Sequence, residues 1–341
     1  MSSPADFRGR RVVVFGDAIC DRWLSCEPQR LSREAPVMVL AHRGERLGAG
    51  GAANVARNLV ALGADVTWIG AVGADASGRE VLRLLDEEGV HTDHARVVGD
   101  WTTPTKTRVL ASEPRRHPQQ VMRIDQEPEQ ALEDAVRADL ARALKESASA
   151  YDAVLFSDYE YGTLGEEAAL VGRELAQEGT PVVLDPRREA HTFRGFSAWT
   201  PNVGELSLLS GLPETELAEG RALGRAATAL LEQSECRWML VTRGNLGMAL
   251  FGEGLPLGGA AVEASGRGDV TDVCGAGDTA ASVFTLGLAA GIDAVAAMTM
   301  ANAAAGVVVR ERGAAVCTPG ELEEALLHAT APVCLGPAEA L

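Results

Sequence analysis

With 341 residues, 46% of them hydrophobic, the chain holds enough apolar material for one large α/β domain or two ordinary ones, and disorder throughout is excluded. Its net charge of −17 opposes binding to nucleic acid or to an anionic membrane surface, so a small-molecule partner is expected. Only two lysines, Lys106 and Lys145, stand against 29 arginines, which confines any site needing a flexible ammonium to those two positions.

The N-terminal MSSPADFRGRRVVVFGD carries a four-residue apolar run after its arginines, too short for the core of an export signal. Six cysteines form no CxxC pair and no Cys/His cluster, and read as reduced thiols in a cytoplasmic protein. RRVVVFGD (10–17) is the first predicted strand. The pair Asp17 and Asp21 follows at its end, and carboxylates accept hydroxyl hydrogen bonds well, as a polyol would require. Residues 22–48 include the strand-like PVMVLAH. GAGGAANVARN (48–58) then contains G-x-G-x-x-A, but roughly thirty residues separate it from the first strand and the next strand ends IGAVG without an acid, so the dinucleotide reading is set aside. Its glycines Gly50 and Gly51 allow a ligand to approach the backbone, and Asn54 offers a donor and acceptors; the plain alternative is a turn entering a helix.

A strand at 65–73 and a helix at 77–89 come next, and then residues 100–125 supply TPTKTRVLA and QQVMRID with no helix between them. These strands pair with those of 22–48 as a small antiparallel sheet, with EPRRHP (113–118) as a hairpin loop. Strands at 152–159, 181–187 and 237–244 alternate with helices at 165–178 and 220–234, the signature of a parallel sheet covered on both faces. Open sheets of this type bind ligands beyond the carboxyl ends of their strands, which gathers Asp17, Asp158, Asp185 and Arg243 along one edge. TPNVGEL (200–206) places Asn202 and Glu205 three apart at a helix start, suited either to orienting waters around Mg²⁺ or to capping. VTRGNLGM (241–248) is a strand ending in a glycine-bracketed turn, fit to hug a nucleotide or simply to form a hairpin. Residues 280–309 are nearly free of charge, but Gly291 and Asp293 divide them into two core helices. The tail 331–341 is expected to be loose.

DVTDVCGAGDTAASVF (269–284) is the most pointed stretch. A Gly275-Ala276-Gly277 turn aims successive amides at one spot, and the helix it opens adds partial positive charge, which makes an anion hole without a cationic side chain. Asp278 lies in the first helical turn beside it, placed to take a proton from a hydroxyl as that oxygen attacks phosphorus. No GxxxxGK[ST] motif exists, so a P-loop is excluded. The plain alternative is an acidic helix start.

Taken together and in this order, GD with Asp21, GGAANVA, TPNxxE, VTRG and DxxGAGDT resemble the ribokinase-like family of sugar kinases over about residues 10–328. The resemblance implies a three-layer, doubly wound, mostly parallel α/β sheet over residues 1–330 with a small antiparallel lid from about 22–48 and 100–125. It implies Asp278 as base and Gly275, Ala276 and Gly277 as anion hole, with Asp17, Asp21, Gly50, Gly51, Asn54 and Asp158 around the sugar. It implies Asn202 and Glu205 near Mg²⁺ and the ATP phosphates, with Thr242, Arg243, Gly244, Gly247 and Asn302 on the nucleotide side. Asp272 matches a position linked in some members to a monovalent cation such as K⁺, and the lid often pairs two subunits as a homodimer.

Within the family, LSREAPVMVL, TPTKTRVLA, QQVMRID and SDYEYG are similar to the branch that phosphorylates the anomeric hydroxyl of a heptose 7-phosphate. A phosphorylated substrate needs local cations, and Lys106, Arg108 and Arg123 on the lid strands are the candidates. The adenylyltransferase half that accompanies some members is not expected, since no HxGH occurs. Tyr161, Arg33, Cys274 and the lengthened EPRRHP depart from that branch, which keeps other six- or seven-carbon sugar phosphates open. A kinase for an unphosphorylated sugar or nucleoside, or a non-catalytic sugar-binding regulator, are the alternatives.

Overall fold

Val12, Val13, Val14 and Phe15 are all fully buried, as a strand covered on both faces requires. The computed structural model describes residues 3–112, 118–188, 190–217, 220–256, 258–265, 271–311 and 313–334. In chain order the first half comprises β1 (Arg11–Gly16), β2 (Ala18–Leu31), β3 (Met38–Gly51), α1 (Ala52–Ala61), β4 (Asp65–Ile69), β5 (Ala71–Gly73), α2 (Ala76–Glu87), β6 (Arg96–Val98), β7 (Thr105–Ala111), β8 (Gln119–Gln126) and α3 (Asp134–Ser147). There follow β9 (Ala153–Ser157), α4 (Glu166–Gln177), β10 (Val182–Asp185), β11 (Ala198–Trp199), α5 (Val203–Ser210), α6 (Glu214–Leu217), α7 (Gly220–Ser234) and β12 (Trp238–Thr242). The remainder is β13 (Met248–Gly252), β14 (Ala260–Val262), α8 (Ala276–Ala289), α9 (Ala294–Val308), α10 (Pro319–Leu326) and β15 (Val333–Cys334).

The main sheet runs β15-β14-β13-β12-β11-β10-β9-β1-β4, parallel from β4 to β12 and antiparallel beyond. Alternate residues of β1 serve different cores: Val12 and Val14 pack with α1, α2, α8, α9 and α10, whereas Val13 and Phe15 pack with α3 to α7. Strand order reverses beside β1, between β4 on one side and β9 on the other, which is where a sheet of this kind opens a crevice. The expected doubly wound α/β architecture is present. The apolar stretch 280–309 forms two helices, α8 and α9, divided at Gly291 (φ +72°) and started again by Asp293, which caps the amides of Val295 and Ala296. Among the described residues no helix is long and apolar enough to cross a membrane.

The second sheet, β3-β2-β7-β8, is the small sheet expected as a lid, with two differences in its make-up. Its β2–β3 and β7–β8 pairs are antiparallel hairpins, but β2 meets β7 in parallel, because β7 arrives only after the chain has crossed through β4 to β6. Its first hairpin also exceeds 22–48, starting at Ala18, one residue past Asp17, and ending at Gly51, against α1. The predicted strand 65–73 divides at Gly70, where a Cβ would lie 2.4 Å from the Trp68 ring, and β5 leaves to pair with β6. The tail is not wholly loose: Val333 and Cys334 pair with β14, while 335–341 lie outside the described residues, as do residues 113–117 of the predicted hairpin loop.

Gly51 joins lid to core with φ +61°, and a Cβ there would fall 2.5 Å from the Asp17 carbonyl oxygen. Gly51→Ala is therefore expected to lower unfolding free energy by ~1–3 kcal/mol, measured by urea denaturation. An unchanged midpoint would show that the joint relaxes freely.

Candidate active site

The tip of α8 is built by Gly275, whose φ of +80° and missing side chain let the chain enter the helix; a Cβ there would sit 2.8 Å from Asn54 Nδ2. The first amides of a helix lack intrahelical acceptors, and those of Gly277 and Asp278 have no other acceptor among the described residues. Gly275 and Ala276 are half-buried and Gly277 is exposed, with open space where its Cβ would be. The amides therefore face a cleft that can admit a ligand.

Asp278, only 7% exposed, sits in the first turn of α8. Asn54 Nδ2 donates to its Oδ2 at 2.6 Å and the Tyr159 hydroxyl donates to its Oδ1 at 2.8 Å. Burial, followed by the nearby charge of Asp185, pushes its pKa up to about 6, while the Asn54 and Tyr159 hydrogen bonds and Arg187 pull the other way. Burial first, and the Asp278 charge second, hold the Tyr159 phenol well above its ordinary range, so it stays a donor. A carboxylate poised near neutrality beside an anion hole suits a general base.

Other acids surround it. Asp158 is pushed up to about 7, mainly by burial, and Asp185 is also raised by burial, against the pull of Arg187. Glu160, between them in the chain, has φ +62°, a strained value for a residue with a side chain; its amide donates to Asp158 Oδ1 at 2.9 Å. Asp185, Arg187, Asn202, Glu205, Thr242 and Asp278 share the walls of a cavity of about 190 Å³. The Arg187 guanidinium bonds Glu205 and lies 4.4 Å above the Tyr159 ring.

Several expected contacts take different parts. Asp17 accepts three main-chain amides, from Tyr159 and Tyr161 at 3.0 Å and Thr163 at 2.9 Å, so in the structure it braces the loop after β9. Asn54 directs its amide nitrogen to Asp278, and its role is to orient that carboxylate. Asn202 and Glu205 form the capping box of α5: Asn202 Oδ1 accepts from the Glu205 amide at 2.9 Å and Glu205 Oε2 from the Asn202 amide at 2.8 Å. The plain reading is thus realised, yet both residues also face the cavity. Thr242 ends β12 within the same cavity, and 241–248 is the hairpin β12–β13, where a Cβ on Gly247 (φ +82°) would fall 2.1 Å from the Val262 carbonyl oxygen. Gly244 opens its turn with φ +55°. Arg243 Nε is buried without a partner among the described residues. Asn302 turns away, donating to the Glu263 carbonyl at 2.9 Å.

On the lid, cross-strand register aligns Gly48, Asp21, Lys106 and Asp125 in one row and Arg46, Trp23, Arg108 and Arg123 two registers on, in the next row of the same face. Arg108 pairs with Asp21 and lies 5.4 Å from the Trp23 ring centre, with Arg46 at 4.0 Å from the same ring. Gly50 crosses so close that a Cβ would lie 2.4 Å from Asp21 Oδ2. Lys106 is half-buried and shifted down, chiefly by burial, with no ion pair among the described residues. Arg123 departs from expectation: it is exposed and pairs with Asp125 at 2.9 Å. Asp272 accepts the Cys274 amide at 3.0 Å and the Gly313 amide at 2.9 Å; burial raises it, but these amides and Arg108 hold it below the usual carboxylate range. With one amide on each oxygen, it braces the approach to the anion hole.

Tyr159 and Arg187 are the site residues that motif reading missed. SDYEYG and PVVLDPR contain them, at strand ends where ligand contacts are expected, but neither has a spacing signature of its own.

Residues 10–320 match the pfkB family of carbohydrate kinases, and the chain belongs to that family, whose members are phosphotransferases acting on a sugar hydroxyl. It is 39% identical over 319 residues to the D-beta-D-heptose 7-phosphate kinase of Bordetella bronchiseptica, spanning 92% of this chain and 95% of that protein. It is 40% identical over 329 residues to the bifunctional protein HldE of Halorhodospira halophila, covering 96% of this chain but 65% of that protein, just under two thirds of its length. Among solved structures, Arabidopsis thaliana ribokinase complexed with ribose and ATP aligns with a TM-score of 0.70 at 22% identity, over 94% of this chain and 99% of that one. Escherichia coli phosphofructokinase-2 in complex with potassium aligns with a TM-score of 0.72 at 19% identity, over 94% and 98%. At such identities these two likenesses establish the ribokinase-like fold.

Tyr159→Phe removes a donor to the ionised form of Asp278. The acid limb of the pH–rate profile is then expected to move upward and turnover to fall by about 3- to 10-fold, the effect of one hydrogen bond of ~0.5–1.5 kcal/mol. An unmoved limb would show that the phenol does not tune this carboxylate.

Proposed function

We propose that the chain transfers the γ-phosphoryl group of ATP to the anomeric hydroxyl of a heptose 7-phosphate. The observation that carries the reading is Asp278 itself: a buried carboxylate, oriented by Asn54 and Tyr159, beside unengaged amides at a helix tip. The 39% identity over 95% of a heptose 7-phosphate kinase supports the acceptor.

Asp278 takes the proton of the acceptor hydroxyl while that oxygen bonds to phosphorus. The bond from phosphorus to the β–γ bridging oxygen breaks, and ADP leaves with its electron pair. The amides of Gly277 and Asp278, with Gly275 and Ala276 shaping the turn, hold charge that develops on the phosphoryl oxygens. Asp21, Asp158 and the Gly50–Gly51 backbone face the sugar, and Asp17 fixes the loop that carries Tyr159. Thr242, Arg243, Gly244 and Gly247 lie along the nucleotide, and Asn302 secures the strand end beside it. Mg²⁺ when bound neutralises phosphate charge; Asp185, Asn202 and Glu205 offer it hard oxygens around one cavity, but the two oxygens of Glu205 are engaged, so the set fits contacts through water better than direct ligation. Asp272, which keeps a lone pair on each carboxylate oxygen, is the candidate contact for a monovalent cation such as K⁺.

Lys106 and Arg108 are assigned to the phosphate already on the sugar, and Arg123 to the rim. Two copies joined through their lids would cover Met122 and Ile124, 57% and 52% exposed on β8, and a homodimer is proposed on that ground. Six free cysteines suit a reducing, cytoplasmic setting.

The assay is ADP release across sugars and sugar phosphates, followed by NMR of the product. Asp278→Asn is expected to reduce kcat by ~10² or more; near-normal turnover would remove its assignment as base. Because the base must be ionised, kcat/KM is expected to rise as pH passes about 6 and to level above it. Lys106→Ala is expected to raise KM for the heptose phosphate by about tenfold while sparing any free sugar, as loss of one charge-assisted contact implies. Activity on free sugars alone, unimpaired by that change, would favour an unphosphorylated acceptor.

A further inference from the structure

The cavity beside Asp278 poses an electrostatic problem. A triphosphate must enter a space walled by Asp185, Glu205 and Asp278, with Asp158 close behind. Helix-tip amides cover one side of a transferring phosphoryl group, but its charge spreads over three equatorial oxygens, and the opposite side needs a cation. Among the described residues lining this cavity, Arg187 is the one that carries positive charge.

Resting on the kinase reading above, we propose that Arg187 is a catalytic residue that grips the transferring phosphoryl group from the side opposite the α8 amides. It follows β10 by two residues, with Pro186 restricting the link, so its root is fixed at the carboxyl edge of the sheet. Its guanidinium is held at two points, by Glu205 and by stacking on the Tyr159 ring at 4.4 Å, and its side chain is only 26% exposed. Tyr159 is also the residue that orients Asp278, so one aromatic ring positions both the base and the cation. A guanidinium has five N–H donors in a planar fork; the bond to Glu205 occupies one nitrogen, leaving donors for phosphoryl oxygens. The surrounding acids favour its charged form, and it stays protonated throughout the transfer, donating hydrogen bonds while the proton of the acceptor goes to Asp278. The competing account is a neutralising ion pair that merely keeps Glu205 and the capping box of α5 in place.

The two accounts separate by measurement. Arg187→Ala is expected to lower kcat by ~10²–10³, the scale of a lost electrostatic donor at a reacting centre, and to regain part of it in added guanidinium chloride at millimolar concentration. Calorimetric titration is expected to show AMP-PNP binding weakened at least ~10-fold with ADP binding within about threefold of the parent, since the cation faces the terminal phosphoryl group. Should Arg187→Ala not fold, Arg187→Lys, which keeps the charge but loses the fork, carries the test with a fall in kcat of about tenfold or more at little-changed KM. A kcat within about threefold of the parent, or equal loss of AMP-PNP and ADP binding, would overturn the proposal. A parent protein inactive on every sugar phosphate would instead sink the kinase reading, and the AMP-PNP and ADP titrations would still decide the part played by Arg187.

Discussion

Asp278 is buried, and a charged carboxylate at that depth is unfavourable unless donors compensate for lost water. Asn54, more than two hundred residues earlier, and Tyr159, more than a hundred, supply those donors. The balance is deliberate in effect: enough hydrogen bonding to keep the group in one orientation, and too little to hold its pKa at the ordinary carboxylate value. The chain is arranged to bring these three residues together. Asn54 rides on α1, Tyr159 follows β9, and Asp278 opens α8, and all three elements meet at the crevice beside β1.

Asp17 shows how the scaffold serves this arrangement without touching the chemistry. Its buried carboxylate collects the amides of Tyr159, Tyr161 and Thr163 from a half-buried loop. The strained backbone at Glu160 sits within the same turn. Asp17 therefore fixes the loop, the loop fixes Tyr159, and Tyr159 fixes both Asp278 and Arg187.

Much of the architecture was legible because its strands are buried on both faces and its helices end on glycine. RRVVVFGD, DAVLFSDY, PVVLDPR and RWMLVTRG became strands with ends trimmed by one or two residues, and the helices at 77–89, 165–178 and 220–234, with the two core helices divided at Gly291, formed nearly as read. α3 escaped notice because DAVRADLARALKES mixes charge through its apolar stripe, and α10 because it is short. Of the site, GAGDT was legible, since its glycines and acid have a local reason to stand together. The roles of Asn54, Asp17 and Asn302 were not, for a side chain able to meet a sugar or a base is equally able to meet a neighbouring carboxylate or backbone, and only the fold decides. The capping box of Asn202 and Glu205 illustrates the same ambiguity, one pair of residues satisfying a local rule while lining the cavity.

The lid hairpin springs from Asp17 at one root and runs into α1, just ahead of Asn54, at the other. Both feet of this long arm are planted beside groups that align the base. The lid and these aligning groups thus share one continuous stretch of backbone, from the end of β1 through the hairpin to the first turn of α1.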